Sequence, residues 1–121
     1  MEMMKAAICV KYGPPEGIKI MEVEKPVPKD NEVLVKVHST TVTIGDSILR
    51  RLTFPKYLLM AVVARLFFGI KNLRKKTLGH EFAGVIEDVG KNVKNFKTGD
   101  EVFGTTGFSG GTHAEFVCLP D

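Results

Sequence analysis

The sequence predicts a mainly β domain, a barrel or sandwich of short strands with few helices. Short stretches alternate apolar and polar residues, and clusters of glycine and proline separate them. That alternation is typical of strands buried on one face. The chain has 121 residues, 44% hydrophobic and 26% charged, which suits one globular domain with one core and excludes collagen-like and fully disordered chains.

Three strands are predicted before residue 40. The first covers residues 5–11 and ends at a Gly/Pro turn, and the second covers residues 18–23. The third covers residues 32–38, where alternation places Val33, Val35 and Val37 on one face.

The middle of the chain is less regular. Residues 45–47 resemble a turn in which Asp46 or Ser47 caps a short helix that runs toward Arg51. Residues 57–70 form an apolar run interrupted only by Arg65. We predict a helix there that is apolar on every side. It is too short to cross a bilayer, which takes about 20 residues.

The C-terminal part predicts three more strands, over residues 78–90, 101–104 and 112–119. The glycine-rich run at residues 104–111 leads into a strand, and its spacing is GxxGxxGG. A phosphate-binding turn would instead show GxGxxG and open a helix. We therefore interpret this run as a hairpin loop.

Residues 79–104 carry the most specific pattern, GHEFAGVIEDVG at 79–90 followed by FKTGDEVFG at 96–104. Further pieces occur in order: KAAI at 5–8, PVP at 26–28, NEVLVKV at 31–37 and GTHAEFV at 111–117. Together they resemble the catalytic domain of the medium-chain dehydrogenase/reductase superfamily, the group of alcohol dehydrogenases and quinone oxidoreductases. The resemblance covers the chain except about residues 52–76.

This resemblance implies a GroES-like fold, a partly open β-barrel, as a single domain over residues 1–121. It also implies an oxidoreductase that uses NAD(P)H, with a Rossmann nucleotide-binding domain that would follow Asp121. We therefore expect the 121-residue chain to be a substrate-side fragment that is inactive without that domain.

Zinc members of the superfamily bind Zn²⁺ with an early cysteine, the histidine of GHE and a later cysteine or acid. The resemblance aligns Thr43 with that cysteine, Asp46 with the aspartate three residues after it, and His80 and Glu81 with the His-Glu pair. A neutral hydroxyl is a poor zinc ligand, so we predict no metal site. His38, His113 and Cys118 are other candidate ligands, but the odd spacing of His113 and Cys118 would put them on opposite faces of one strand.

The resemblance makes Thr43, Asp46, Ser47, His80 and Glu81 the candidate catalytic residues, with Thr43 also expected to contact the cofactor. The leading hypothesis is the substrate-side domain of a zinc-free NAD(P)H-dependent reductase of quinones, enones or carbonyls. There the hydroxyls of Thr43 and Ser47 are candidates to polarise a carbonyl oxygen. The alternatives are a zinc alcohol dehydrogenase domain with altered ligands and a stand-alone GroES-like binding or co-chaperonin-like module.

Residues 50–76 contain eight basic and no acidic residues, in a chain whose net charge is +3. Three interpretations remain open: a buried helix with a solvated basic flank, a lid or docking surface for a cofactor domain, and association with a membrane surface, which is the least favoured. A homodimer through residues 57–70 is a further expectation. Nucleic-acid binding is not expected, because aromatic residues that could stack on nucleobases are not interleaved with the basic residues. Two cysteines and no signal-peptide pattern favour the cytoplasm.

Overall fold

A computed structural model describes residues 2–43, 46, 50, 59, 62–63, 66, 77–106 and 110–121. These residues contain six strands and one short 3-10 helix at Pro15–Gly17. The strands are β1 (Met3–Cys9), β2 (Ile18–Glu24), β3 (Glu32–Thr40), β4 (Glu81–Val89), β5 (Glu101–Thr105) and β6 (Phe116–Pro120).

Two antiparallel sheets make up the described part of the chain. Strands β1 and β2 pair over their whole length, from Met3 opposite Glu24 to Cys9 opposite Ile18. The second sheet has the order β5-β4-β3-β6. Isolated bridges, Ala6 to Ala114 and Ile8 to Thr77, connect β1 to the segments beside the second sheet. The mainly β prediction is confirmed, although the described residues form two linked sheets and not a closed barrel.

The predicted apolar face of β3 forms the core. Val33 and Val35 cluster with Ile86 of β4 and Val117 of β6, and all four are buried. Val37 packs against this cluster, as the alternation predicts. A second, smaller cluster contains Cys9 and Leu78. Apolar burial of this kind is the main favourable term in folding.

The hairpin interpretation of the glycine-rich run is wrong. Strands β5 and β6 lie at opposite edges of their sheet, so the chain between them crosses the sheet instead of turning back beside β5. Residues 107–109 of that run lie outside the described residues. The final strand begins at Phe116 and not at residue 112. His113 therefore precedes the strand that contains Cys118, and the argument from their odd spacing does not apply.

Four residues of the predicted 57–70 helix are described. Leu59, Val62, Val63 and Leu66 are all helical, and all four are exposed. The exposure of these four residues contradicts the interpretation of a fully buried helix. The rest of the predicted helix lies outside the described residues. In the part of the chain that the structure describes, no helix has the length and hydropathy needed to cross a membrane.

Candidate functional site

The Asp46 carboxylate is the centre of the candidate site. Its side chain is only 3% exposed. The Oδ2 atom accepts a hydrogen bond from the Thr43 backbone N–H at 2.9 Å, and Oδ1 accepts one from the Gly79 N–H at 3.2 Å. A buried carboxylate is costly unless such partners compensate for lost hydration. Asp46 therefore ties the loop after β3 to the segment before β4.

Thr43 and Asp46 bond to each other in both directions. The Thr43 Oγ1 atom accepts the Asp46 backbone N–H at 3.2 Å, while Asp46 accepts the Thr43 N–H. This reciprocal pattern is that of a helix capping box, with Thr43 as the cap and Asp46 three residues later. The prediction that Asp46 is itself the cap is therefore wrong, and Ser47 lies outside the described residues.

Two histidines approach the same carboxylate from different segments. The His80 Nε2 atom is 3.1 Å from Asp46 Oδ1, and the His113 Nε2 atom is 3.8 Å from Oδ2. His113 also hydrogen-bonds the Thr41 carbonyl oxygen at 2.8 Å. Because that oxygen can only accept, the His113 proton lies on Nε2. Asp46 thus binds His80 directly and has a longer electrostatic contact with His113.

Sequence reasoning did not find His113 as a neighbour of Asp46. The backbone turn that brings it there depends on Gly110 and Gly111, whose φ angles are +66° and +96°. These angles favour glycine. The double glycine before His113 was the available signal, but it does not reveal which distant residue His113 meets.

Glu81 is hydrogen-bonded to the end of β3 and to the residue that follows it. The Thr41 Oγ1–H donates to Glu81 Oε1 at 3.0 Å, and the Thr40 Oγ1–H donates to the Glu81 carbonyl at 2.8 Å. The Thr40 hydroxyl also lies 2.9 Å from the hydroxyl of Thr112, which is fully buried. Four of the five predicted catalytic residues, namely Thr43, Asp46, His80 and Glu81, therefore gather around one loop.

An open cavity of about 710 Å³ adjoins this loop. Its lining is mainly apolar and includes Ile18 and Ile20 of β2 and Val42. Asp46 and His113 also line it, whereas Thr43 and His80 are not among its described lining residues. The cavity therefore meets the His113 side of the Asp46 carboxylate.

The donor groups at this site do not match a catalytic zinc set. Thr43 presents a neutral hydroxyl, and its oxygen already accepts the Asp46 N–H. The His80 Nε2 atom is directed at Asp46. Across the described ranges, no group of three or more His, Cys, Asp or Glu side chains is placed to hold a metal ion. The superfamily's zinc pattern has a thiolate at the Thr43 position, and the absence of bound zinc stays a prediction.

Comparison with known proteins identifies the family. The sequence profile of the family described as "Alcohol dehydrogenase GroES-like domain" matches residues 29–121. The chain belongs to this family. It is therefore a GroES-like domain of the medium-chain dehydrogenase/reductase superfamily, as the motifs at 79–104 indicate.

Quinone oxidoreductases are among the relatives of this GroES-like domain. The enzyme from Sus scrofa is 36% identical over 99% of the chain, and that from Homo sapiens is 35% identical over 99% of the chain. The chain spans 32% of the length of each. The structure of the quinone oxidoreductase from Coxiella burnetii matches 98% of the chain and 35% of its own length, with a TM-score of 0.79 and 28% identity.

Proposed function

We propose that this GroES-like domain is the substrate-binding part of an NAD(P)H-dependent, zinc-independent reductase that acts on a small quinone, enone or carbonyl compound. The names of its relatives support the oxidoreductase class. The chain covers about a third of those relatives, so the activity belongs to a longer protein. The dinucleotide would be held largely outside these 121 residues.

The observation that carries the proposal is the mutual bonding within the Thr43–Asp46–His80 cluster. Asp46 accepts the Thr43 N–H and contacts the His80 Nε2 atom, and the Thr43 oxygen accepts the Asp46 N–H. In a zinc dehydrogenase the aligned cysteine and histidine would both be metal ligands. Here the cluster holds the Thr43 hydroxyl in a fixed position, which suits hydrogen bonding to a substrate oxygen.

The capping interaction determines which atom of the Thr43 hydroxyl can bond to a substrate. Because the Thr43 oxygen accepts the Asp46 N–H, its own hydroxyl proton is the group left to donate. We place the substrate carbonyl oxygen on this proton. When bound, the nicotinamide supplies a hydride to the electron-poor carbon. Thr43 would stabilise the negative charge that develops on the oxygen. Asp46 would fix the positions of Thr43 and His80 relative to each other.

Ligand binding to the chain itself tests this role. We expect NMR titration with 2-cyclohexenone to shift the amide signals of Thr43 and His80. Thr43→Val should weaken binding by about tenfold, the scale of one hydrogen bond to a polar group. Thr43→Ser keeps the hydroxyl and should bind like the wild type. Shifts confined to other strands, or equal affinities for Thr43→Val and Thr43→Ser, would contradict the assignment.

Zinc independence has a separate test. After dialysis against a mild chelator, we expect elemental analysis to find far less than one zinc per wild-type chain. Thr43→Cys restores the cysteine of the zinc pattern beside His80 and should raise zinc affinity. Thr43→Ser is the matched control and should not. Near-stoichiometric zinc in the wild type would instead support the alternative of a zinc alcohol dehydrogenase with altered ligands.

A further inference from the structure

The cavity beside Asp46 has the size and lining of a site for a small organic molecule. Its volume of about 710 Å³ lies within the range of roughly 300–1,000 Å³ that such sites occupy. Ala7 of β1, Ile18 and Ile20 of β2, and Val37 of β3 contribute to its apolar lining. Thr43 is not among its described lining residues. The cavity is therefore separate from the hydroxyl on which we place the substrate carbonyl oxygen.

The two threonine hydroxyls of the lining have already used their protons. The Thr40 Oγ1–H donates to the carbonyl oxygen of Glu81, which can only accept. A hydroxyl has one proton, so in the 2.9 Å contact between Thr40 and Thr112 the donor is Thr112. Both threonines line the cavity. Neither therefore has a proton left to donate to a ligand.

The His113 ring supplies an acceptor to the same cavity, which it lines. Its Nε2–H donates to the Thr41 carbonyl oxygen at 2.8 Å, so in the neutral ring the other nitrogen, Nδ1, is an acceptor. The Cδ2 atom lies against Gly79, where a Cβ atom would be 2.6 Å from it. Nδ1 is on the opposite edge of the ring. It is therefore the nitrogen that remains for a ligand.

The Asp46 carboxylate, which also lines the cavity, adds acceptor oxygens and no donor. Its oxygens already accept the Thr43 and Gly79 N–H groups. Arg50 lines the cavity as well, and its carbonyl oxygen accepts the Gly13 N–H beyond the end of β1. The other polar lining residues are exposed to solvent: Lys5, His38, Ser39 and Glu115. The polar groups around His113 therefore accept hydrogen bonds and do not donate them.

From this set of acceptors we infer that the cavity binds a phenol with a bulky apolar body, whose hydroxyl donates to His113 Nδ1. A quinone or enone has no proton to donate and would leave Nδ1 unpaired. An ammonium group would lose its hydration in a mainly apolar cavity, whereas a neutral hydroxyl loses much less. The aromatic body of the phenol is buried against β1 and β2. The inference does not rest on the proposed function, because neither a reaction nor Thr43 enters it.

NMR titration of the chain with 2-naphthol tests the inference, at about pH 8, where an ordinary imidazole is neutral. We expect saturable binding that shifts the amide signals of Ala7, Ile20 and His113. 2-Methoxynaphthalene has the same rings without the hydroxyl proton and should bind about tenfold more weakly, the scale of one hydrogen bond. 2-Cyclohexenone, which the proposed function places on Thr43, should not displace 2-naphthol.

Two variants separate the polar contact from the apolar one. His113→Phe keeps an aromatic ring without Nδ1, so 2-naphthol should bind about tenfold more weakly and lose its advantage over 2-methoxynaphthalene. Ile20→Thr alters an apolar lining residue that is 71% exposed and should weaken both ligands alike. Val27→Thr is the matched control, because Val27 is 81% exposed and does not line the cavity, and it should change neither affinity. Thermal melting of each variant verifies that it is folded.

Four results would overturn the inference. The first is a wild-type chain that shows no saturable binding of 2-naphthol, or shifts away from the cavity lining. The second is 2-methoxynaphthalene binding as tightly as 2-naphthol, which would indicate a donor such as Arg50 as the polar contact. The third is a folded His113→Phe chain that still prefers the hydroxyl compound. The fourth is displacement of 2-naphthol by 2-cyclohexenone, which would make the cavity the carbonyl site. If His113→Phe does not fold, the ligand comparison on the wild type and the Ile20→Thr and Val27→Thr pair still decide the matter.

Discussion

At the scale of single residues, Gly79 shows how closely the candidate site is packed. Its φ angle is +101°, and a Cβ atom there would lie 2.6 Å from His113 Cδ2 and 2.8 Å from the His113 backbone nitrogen. We expect Gly79→Ala to lower the free energy of unfolding by about 2 kcal/mol or more, from backbone strain and overpacking together.

Gly99 provides the matched control for that change. Its φ angle is +98°, but a Cβ atom there meets nothing within 4 Å. Gly99→Ala therefore adds the backbone strain without the crowding and should cost less than Gly79→Ala. Urea unfolding of both variants measures the difference. Equal losses would mean that the segment around His113 yields to a methyl group, and that the site is less rigid than its contacts indicate.

Cys118 makes stability depend on pH in the alkaline range. Burial, followed by the negative charges of Glu32 and Asp88, raises the pKa of its thiol to about 11, from an ordinary value of 9.0. Above pH 9 the unfolded chain loses this proton before the folded chain does. Ionisation therefore favours the unfolded state, and stability falls as pH rises from 9 toward 11.

The variant Cys118→Ala removes this titrating group. We expect the wild type to lose more stability than Cys118→Ala between pH 9 and 11 in urea unfolding, and the two to show the same pH dependence below pH 8. Other groups that titrate in this range contribute to both proteins alike, so the difference isolates the thiol. Parallel curves up to pH 11 would show that Cys118 ionises as readily in the folded chain.

At the scale of elements, Asp46 joins segments that are distant in sequence. Removal of its carboxylate by Asp46→Ala leaves the half-buried Thr43 N–H and the buried Gly79 N–H without their acceptor. A buried donor left without an acceptor costs about 1–3 kcal/mol. Asp46→Asn keeps one acceptor oxygen and should lose less. We expect stability in the order wild type, Asp46→Asn, Asp46→Ala in thermal melting. Similar melting of all three proteins would contradict a structural role for the carboxylate.

The strands could be predicted from sequence because their signal is local. Alternation along β3 placed Val33, Val35 and Val37 on one face, and the core contains or contacts all three. The path from β5 to β6 could not be predicted in this way. This path depends on β3 and β4 lying between β5 and β6 in the sheet. The sequence of the glycine-rich run does not indicate that strand order.

The candidate site was predictable only where the superfamily resemblance reached it. Thr43, Asp46, His80 and Glu81 follow from aligned motifs, and the structure gathers them around one loop. Neither the reciprocal Thr43–Asp46 bonds nor the His113 contact follows from residue type. Each depends on backbone angles and on the approach of segments about 30 to 70 positions apart in the chain.

At the scale of the whole molecule, the proposed function assigns the chain the substrate side of a reaction whose cofactor side would lie elsewhere. The described residues hold a polar cluster and an apolar cavity, and the next named element after the glycine-rich run among them is strand β6 and not a helix. A dinucleotide phosphate is typically held where a glycine-rich turn opens a helix. The nucleotide would therefore find little of its binding site on these 121 residues.

We accordingly expect the purified 121-residue chain to oxidise neither NADH nor NADPH in the presence of quinones or enones. Absorbance of the reduced nicotinamide, followed with Sus scrofa quinone oxidoreductase as the positive control, measures this. The folded state of the chain is verified by its thermal melting in the same buffer. Turnover that Thr43→Val abolishes and Thr43→Ser preserves would contradict the prediction, because it would show that the loop around Asp46 positions both hydride donor and acceptor without a nucleotide-binding domain.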